Sequence, residues 1–215
     1  MTIAADNLVK SYRGKRVVDG VNFEVYPGEI VGLLGPNGAG KTTSFYMVVG
    51  LIQAEQGQVF LHEEDITGLP MHLRARRGIG YLAQEASIFR GLSVEQNLMA
   101  IFEASNFPTA EARQRSEELM EEFGVIQLRR QKGSSLSGGE RRRVEIVRAL
   151  ATQPSFLLLD EPFSGVDPIG VDDVQEMLTY LRNKGFGILI TDHSVRDTLS
   201  VTDRAYIIHQ GQILT

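Results

Sequence analysis

The chain has 215 residues, a net charge of −5 and 42% hydrophobic residues, enough for one large α/β domain or two small lobes around a buried core. The acidic balance argues against a nucleic-acid binder, and the absence of cysteine removes disulfides and thiolate zinc sites and suits a reducing compartment. No stretch approaches the roughly 18 apolar residues that cross a membrane, the start Met1–Asp6 lacks the features of a secretion signal, and His62, His72, His193 and His209 show no metal-ligand spacing.

In chain order, residues 1–29 alternate apolar and polar side chains, as in Val21-Asn-Phe-Glu-Val25, and 57–62 do so again. Both read as half-buried strands of an antiparallel layer. Ile30-Val-Gly-Leu-Leu34 is a buried strand, and a helical pattern runs from Lys41 to about Val49. Gly80-Tyr-Leu82 is a further strand. From roughly 90 to 135 the pattern turns helical, with Ala110–Phe123 predicted as a helix capped by Thr109 after Pro108. A helix carrying Val144, Val147, Leu150 and Ala151 on one face follows Leu136–Glu140. Phe156-Leu-Leu-Leu159 and Gly187-Ile-Leu-Ile190 are buried strands, and Gln210–Thr215 lies inside a terminal hairpin. The basic runs Arg74–Arg77 and Arg141–Arg143 are expected to be solvated helix faces rather than polyanion sites.

Three stretches carry chemistry. Gly35-Pro-Asn-Gly-Ala-Gly40-Lys41-Thr42 fills every fixed position of G-x-x-x-x-G-K-[ST] between a strand and a helix. Glycines let the backbone wrap phosphate oxygens while the helix N-terminus adds positive potential. Lys41 would reach the β- and γ-phosphates and the Thr42 hydroxyl would ligate Mg²⁺. The strand Phe156–Leu159 delivers Asp160 and Glu161 to its C-terminal edge, where open α/β sheets bind ligands. Asp160 is placed to hold Mg²⁺ through water, and Glu161 to polarise or deprotonate the attacking water. Ser137 and Glu140 form a capping box, which satisfies a helix start. Capping alone does not ask for Gly138-Gly139, and those glycines would let a large anion approach. Both readings of the stretch can hold together.

Leu136-Ser-Gly-Gly-Glu140 resembles the signature of ATP-binding-cassette (ABC) ATPases, and the resemblance covers essentially the whole chain in the expected order. It implies an α/β fold with a P-loop NTPase core: a mixed, mainly parallel sheet flanked by helices, an antiparallel β layer and an inserted helical subdomain. The implied division is 1–84 with 153–215 as the ATPase core and 85–152 as the helical part. It also implies a head-to-tail homodimer that sandwiches two ATP–Mg²⁺. Gly35, Pro36, Asn37, Gly38, Ala39, Gly40, Lys41, Thr42 and Thr43 would hold ATP in cis. Ser137, Gly138 and Gly139 would touch the γ-phosphate of the partner's ATP. Tyr12 matches the aromatic residue that stacks on adenine, Gln84 the glutamine that touches Mg²⁺, and His193 the histidine that contacts the γ-phosphate. Ser164-Gly-Val-Asp167 matches the loop that crosses the dimer interface.

Two departures stand out: Gly165-Val166 replaces the common Ala-Leu, and Ala83 replaces the proline before the glutamine, so the mobility of that segment is expected to differ. Relatives continue for a helical segment beyond the terminal hairpin, and a C-terminally shortened chain is expected. Phe45–Gly50, Arg74–Tyr81, Gln84–Arg90 and Asp160–Pro168 look like the branch of the family that powers lipopolysaccharide export. Its neighbours are the ATPases of branched-chain amino acid importers. Phe89 and Arg90 fall where the family forms a groove for a coupling helix of a transmembrane permease; the alternative is that Phe89 belongs to the helical lobe's own core. The expected function is thus an ATP-hydrolysing motor, peripheral on the cytoplasmic face of the inner membrane, with no nucleic-acid partner and no direct contact with cargo. The alternatives are an importer ATPase and a soluble ABC ATPase. A kinase or GTPase of another phosphate-loop family would leave Leu136–Glu140 unexplained.

Overall fold

The computed structural model describes residues 2–215. In chain order it contains β1 (Ile3–Tyr12), β2 (Lys15–Val25), β3 (Ile30–Leu34), α1 (Lys41–Val49), β4 (Gln56–Leu61), β5 (Glu64–Asp65), α2 (Met71–Ala75) and β6 (Ile79–Leu82). Then follow α3 (Val94–Ala104), α4 (Thr109–Glu122), α5 (Gly138–Leu150), β7 (Phe156–Asp160), α6 (Pro168–Asn183), β8 (Gly187–Thr191), α7 (Val195–Leu199), β9 (Arg204–His209) and β10 (Gln212–Ile213). One sheet is antiparallel, ordered β2-β1-β4-β5; the other is ordered β10-β9-β3-β8-β7-β6. Its strands are parallel except for β10, which folds back on β9. This is the mixed, mainly parallel core with an antiparallel layer that the sequence predicts.

The unbroken apolar runs mark strands covered on both sides. β3, β7 and β8 are buried along their whole length. Because strand side chains alternate, each strand feeds two cores. Ile30, Leu157, Leu159, Ile188 and Ile190 join the core shared with the helices, where Leu98, Met120, Val147 and Leu178 meet them. Val31, Leu33, Phe156, Leu158 and Leu189 face the other way, toward Phe23 and Val59 of the antiparallel sheet. α1 lies between the two sheets with Phe45, Met47, Val48 and Val49 all buried. A helix so enclosed beyond its first turn carries no polar stripe there.

Two sequence expectations change. Thr109 is the first residue of α4 rather than its cap: Pro108 has the extended backbone a cap needs, and its carbonyl accepts from Ala112 N–H at 2.9 Å. Arg74 is not solvated but 1% exposed. Its guanidinium donates to the carbonyls of Met47 (2.8 Å), Val48 (2.6 Å), Thr67 (2.9 Å) and Leu69 (2.8 Å), satisfying the last carbonyls of α1. Burial pulls its pKa down to about 10. The helix that begins at the phosphate loop is therefore pinned at its far end by a charge.

Candidate nucleotide site

The loop between β3 and α1 is built for close approach. Gly35, Gly38 and Gly40 have φ of 148°, 76° and 107°, a region that favours glycine. A Cβ on Gly35 would lie 2.1 Å from the Ile208 carbonyl oxygen, and one on Gly40 would lie 2.5 Å from that of Val17. The β9–β10 turn braces the loop from outside, Gly211 N–H donating to the Ala39 carbonyl at 2.8 Å. Pro36, Asn37, Gly38 and Thr42 are exposed, Gly35 and Thr43 partly so, and Ala39 and Gly40 buried. Gly40 caps α1 without any side-chain bond. The first-turn N–H groups, which no helix satisfies internally, are thus left to a ligand. Lys41 is 9% exposed, and its Nζ donates to the carbonyls of Gly35 (2.7 Å) and Pro36 (3.1 Å). Burial lowers its pKa and nearby Glu161 opposes that. An anion in the loop would relieve exactly such a desolvated ammonium, as phosphate binding requires.

Asp160 ends β7, and Glu161 follows it beside this loop. Asp160 is 1% exposed, and its Oδ2 accepts no hydrogen bond. Burial raises its pKa, while the hydroxyls of Tyr46 and Thr191 pull the other way. A buried carboxylate oxygen without a partner is costly. It fits a divalent cation that, like Mg²⁺, takes one or two carboxylates, waters and phosphate oxygens. No group of three or more acidic, histidine or cysteine side chains that could cage a metal occurs among the described residues, and this binding mode needs none. Glu161 has φ of 45°, uncommon for a non-glycine residue. Its N–H donates to the Thr191 carbonyl at 2.6 Å. Gln84 Nε2 donates to Glu161 Oε2 at 2.7 Å, and His193 Nδ1 lies 3.2 Å from the same oxygen. Gln84, Glu161 and His193, distant in sequence, therefore meet at one carboxylate.

Two buried charges hold this cluster, and sequence reasoning missed both. Arg142, expected on a solvated face, is 5% exposed. It donates to the carbonyls of Ala83 (2.8 Å), Asp160 (2.9 Å), Pro162 (3.1 Å) and Glu161 (3.2 Å), and pairs with Glu145 at 3.3 Å. Burial lowers its pKa, and Glu145 counters. The same Glu145 accepts from the N–H groups of Ser87 (2.7 Å) and Ile88 (3.0 Å). The segment from Ala83 to Ile88 is thereby tied to the end of β7. Asp192 is the second; burial raises its pKa, and it bonds the N–H groups of Ser194 and Phe163.

The signature stretch forms the predicted capping box: Ser137 Oγ accepts from Glu140 N–H at 3.3 Å, and Glu140 Oε2 from Ser137 N–H at 2.9 Å. Its glycines also have a reason within the chain. A Cβ on Gly139 would sit 2.8 Å from Gly170 Cα on α6, and one on Gly138 would sit 3.1 Å from the Gly165 carbonyl. Gly139→Ala is therefore expected to destabilise the chain by about 1–3 kcal/mol through overpacking, measured by denaturant unfolding without any nucleotide. Gly165 has φ of 69°, a region that favours glycine. Asp167 caps α6, accepting from Gly170 N–H at 3.1 Å.

Ser137–Gly139 do not line the open cleft of about 670 Å³ beside the phosphate loop, whose walls include Gly35, Asn37 and His193. Gly138 instead lines a separate cleft with Gln84, Arg141 and Gly165. Tyr12 ends β1 and is 45% exposed, with Lys10 Nζ 5.9 Å from its ring centre. Phe89 is 48% exposed, so it is not part of the helical core. The Arg148 guanidinium lies 5.2 Å from its ring centre. Arg90 is exposed beside it. A groove of about 190 Å³ runs close by, its lining including Met71, Tyr81, Ile101 and Arg148.

A phosphate loop after β3 of a mainly parallel sheet, with two carboxylates at the end of β7 one strand away, defines a nucleoside-triphosphate-binding ATPase of the P-loop class. A model of the ABC transporter family matches residues 18–164, and the chain belongs to that family. It is 59% identical over 214 residues to the lipopolysaccharide export system ATP-binding protein LptB of Escherichia coli (strain K12), covering 99% of this chain and 89% of that protein. Identity to LptB of Haemophilus influenzae is 58% over 213 residues, covering 99% and 88%. Among solved structures it is similar to an ABC-transporter cassette in its ADP conformation, with TM-score 0.90, 29% identity and coverage of 100% and 90%. A nucleotide-free cassette gives TM-score 0.89, 28% identity and the same coverage.

Proposed function

We propose that this chain is the ATP-hydrolysing motor subunit of a lipopolysaccharide exporter. The observation that carries the reading is the 59% identity to LptB over nearly the whole chain, joined to a site where Gln84 and His193 meet the Glu161 carboxylate and His193 shares a cleft with the phosphate loop. Gly35 to Thr43 wrap the triphosphate, Lys41 leaves the carbonyls of Gly35 and Pro36 for phosphate oxygens, and Tyr12 stacks on the base. Thr42, Asp160 and Gln84 would hold Mg²⁺, which would neutralise charge on the phosphates. Glu161 orients and deprotonates the water, and His193 borders the γ-phosphate. Ser137, Gly138 and Gly139, outside the phosphate-loop cleft of their own chain, complete the ATP site of a second copy, with Asp167 at the interface. Two bound ATP thus close a homodimer through contacts that hydrolysis removes.

Phe89 and Arg90 dock a coupling helix of a transmembrane partner beside the groove between the core and the helical part. An exposed aromatic backed by arginine is the type of anchor that dominates such contacts. No described helix is long and apolar enough to cross a membrane. On this reading the permease supplies the transmembrane path, and the chain works at the cytoplasmic face of the inner membrane. Phe89→Ala is expected to abolish co-purification with the permease while leaving the ATPase rate of the isolated chain within about twofold. Equal loss of both would assign Phe89 to folding. The transport reading is tested by co-purification from detergent-solubilised membranes. Recovery of lipopolysaccharide-export subunits supports it, and recovery of amino-acid permeases overturns it.

A further inference from the structure

Asp192 stands at the end of β8, immediately before His193, with a side chain that is 0% exposed. Its Oδ2 accepts from Phe163 N–H at 3.1 Å and its Oδ1 from Ser194 N–H at 2.8 Å. Oδ1 also lies 3.4 Å from His193 Nδ1, whose other neighbour is Glu161 Oε2 at 3.2 Å. The imidazole edge therefore faces two carboxylates. An ionised carboxylate only accepts, so contact with either one requires the proton on Nδ1. The two partners differ in freedom. Glu161 has a side chain that is 22% exposed and can turn toward a water molecule. Asp192 is enclosed and fixed by two backbone N–H groups. Phe163, which one of those bonds holds, leads directly into the loop Ser164–Asp167.

We propose that Asp192 is a positioning residue for the ATPase reaction, keeping the proton on His193 Nδ1 and the ring in place when Glu161 turns to its water. This rests on the reading of Glu161 and His193 as groups that face the γ-phosphate and the water. The free Nε2 edge is then presented in one orientation: an acceptor of a water proton in the neutral ring, a donor to a phosphate oxygen in the charged one. Through Phe163 N–H the same carboxylate joins that orientation to the loop Ser164–Asp167. A shift of the loop reaches the histidine by one rigid link. The logic is that of an orienting carboxylate behind a working imidazole.

Asp192→Asn, His193→Ala and the double variant of the intact chain test this through ATP turnover and fluorescent-nucleotide binding. Asp192→Asn should lower turnover about 10- to 100-fold with nucleotide affinity within about twofold. In the His193→Ala background it should lower turnover further by less than about threefold, because its route is already cut. The same fold-loss in both backgrounds overturns the proposal while leaving the role of His193 intact. Wild-type turnover in His193→Ala overturns the reading of His193 itself, and the proposal with it. Nitrogen-15 spectra of the histidines in the wild-type chain need no substitution. A proton on Nδ1 of His193 is expected, and a ring protonated on Nε2 alone would refute the assignment.

Discussion

Glu161→Gln should cut ATP turnover by about 10²- to 10⁴-fold, the usual contribution of a positioned general base, and leave nucleotide binding intact. The geometry makes the substitution clean. Glu161 Oε2 is the point where Gln84 Nε2 and His193 Nδ1 meet, and a carboxamide has the same shape. Glu161 supplies no part of the phosphate loop, whose glycines, Lys41 and uncapped helix start remain as they are. The carboxamide cannot take a proton from water, so only the chemical step suffers. Phosphate release would be compared with equilibrium binding of a fluorescent ATP analogue, and oligomeric state with ATP present would be read by light scattering. The variant should accumulate as an ATP-bound dimer, because the contact that hydrolysis normally deletes persists. Turnover near the wild-type rate would remove Glu161 from the reaction. Loss of nucleotide affinity in step with turnover would assign it to binding.

What the sequence makes legible is whatever chemistry is local. The phosphate loop is written in consecutive residues, and its strand and helix flank it directly. The capping box at Ser137 and Glu140 is legible for the same reason, since both partners lie within one turn. Periodicity identified the doubly covered strands, because burial on both faces leaves an unbroken apolar run. Which face of a strand meets which core is also implicit in alternation, although not the identity of the neighbour.

Partner identity is where sequence reasoning stops. Arg74 and Arg142 sit in basic runs that look solvated, yet both are buried against backbone carbonyls. A carbonyl is present at every residue and leaves no mark in the sequence, so no pattern announces that Ala83 and Asp160 share one guanidinium. The glycines at 138 and 139 illustrate a second limit. Anion approach accounts for them, but Gly139 is equally required by the crossing of α5 and α6 at Gly170. A signal for Arg142 did exist in one respect: Glu145 follows at i+3, on a helix face shared with the apolar Ile146 and Ala149. An opposite charge at that spacing on the apolar side of a helix points to a buried pair.

That pair supports the other large effect. Arg142→Met should destabilise the chain by about 3–5 kcal/mol, the cost of leaving one member of a buried ion pair unpartnered. Its side chain and that of Glu145 are 6% and 2% exposed, so water cannot replace the lost guanidinium. The carbonyls of Ala83, Asp160 and Pro162 lose their donor as well. Arg142→Lys should fall between the two, since an ammonium keeps the charge but cannot span the carbonyls of two segments with a planar fork. The measurement is the midpoint of denaturant unfolding, joined to amide hydrogen exchange at Ser87 and Ile88. Their N–H groups are held by Glu145, and a carboxylate released from Arg142 holds them less firmly. Exchange there should quicken in Arg142→Lys, which stays folded, together with a fall in turnover as Gln84 loses its fixed distance to Glu161. An unchanged midpoint in Arg142→Met would show that the guanidinium is not the anchor of this region. Faster exchange without slower turnover would separate the anchoring of the segment from the chemistry, and leave Gln84 positioned by Glu161 alone.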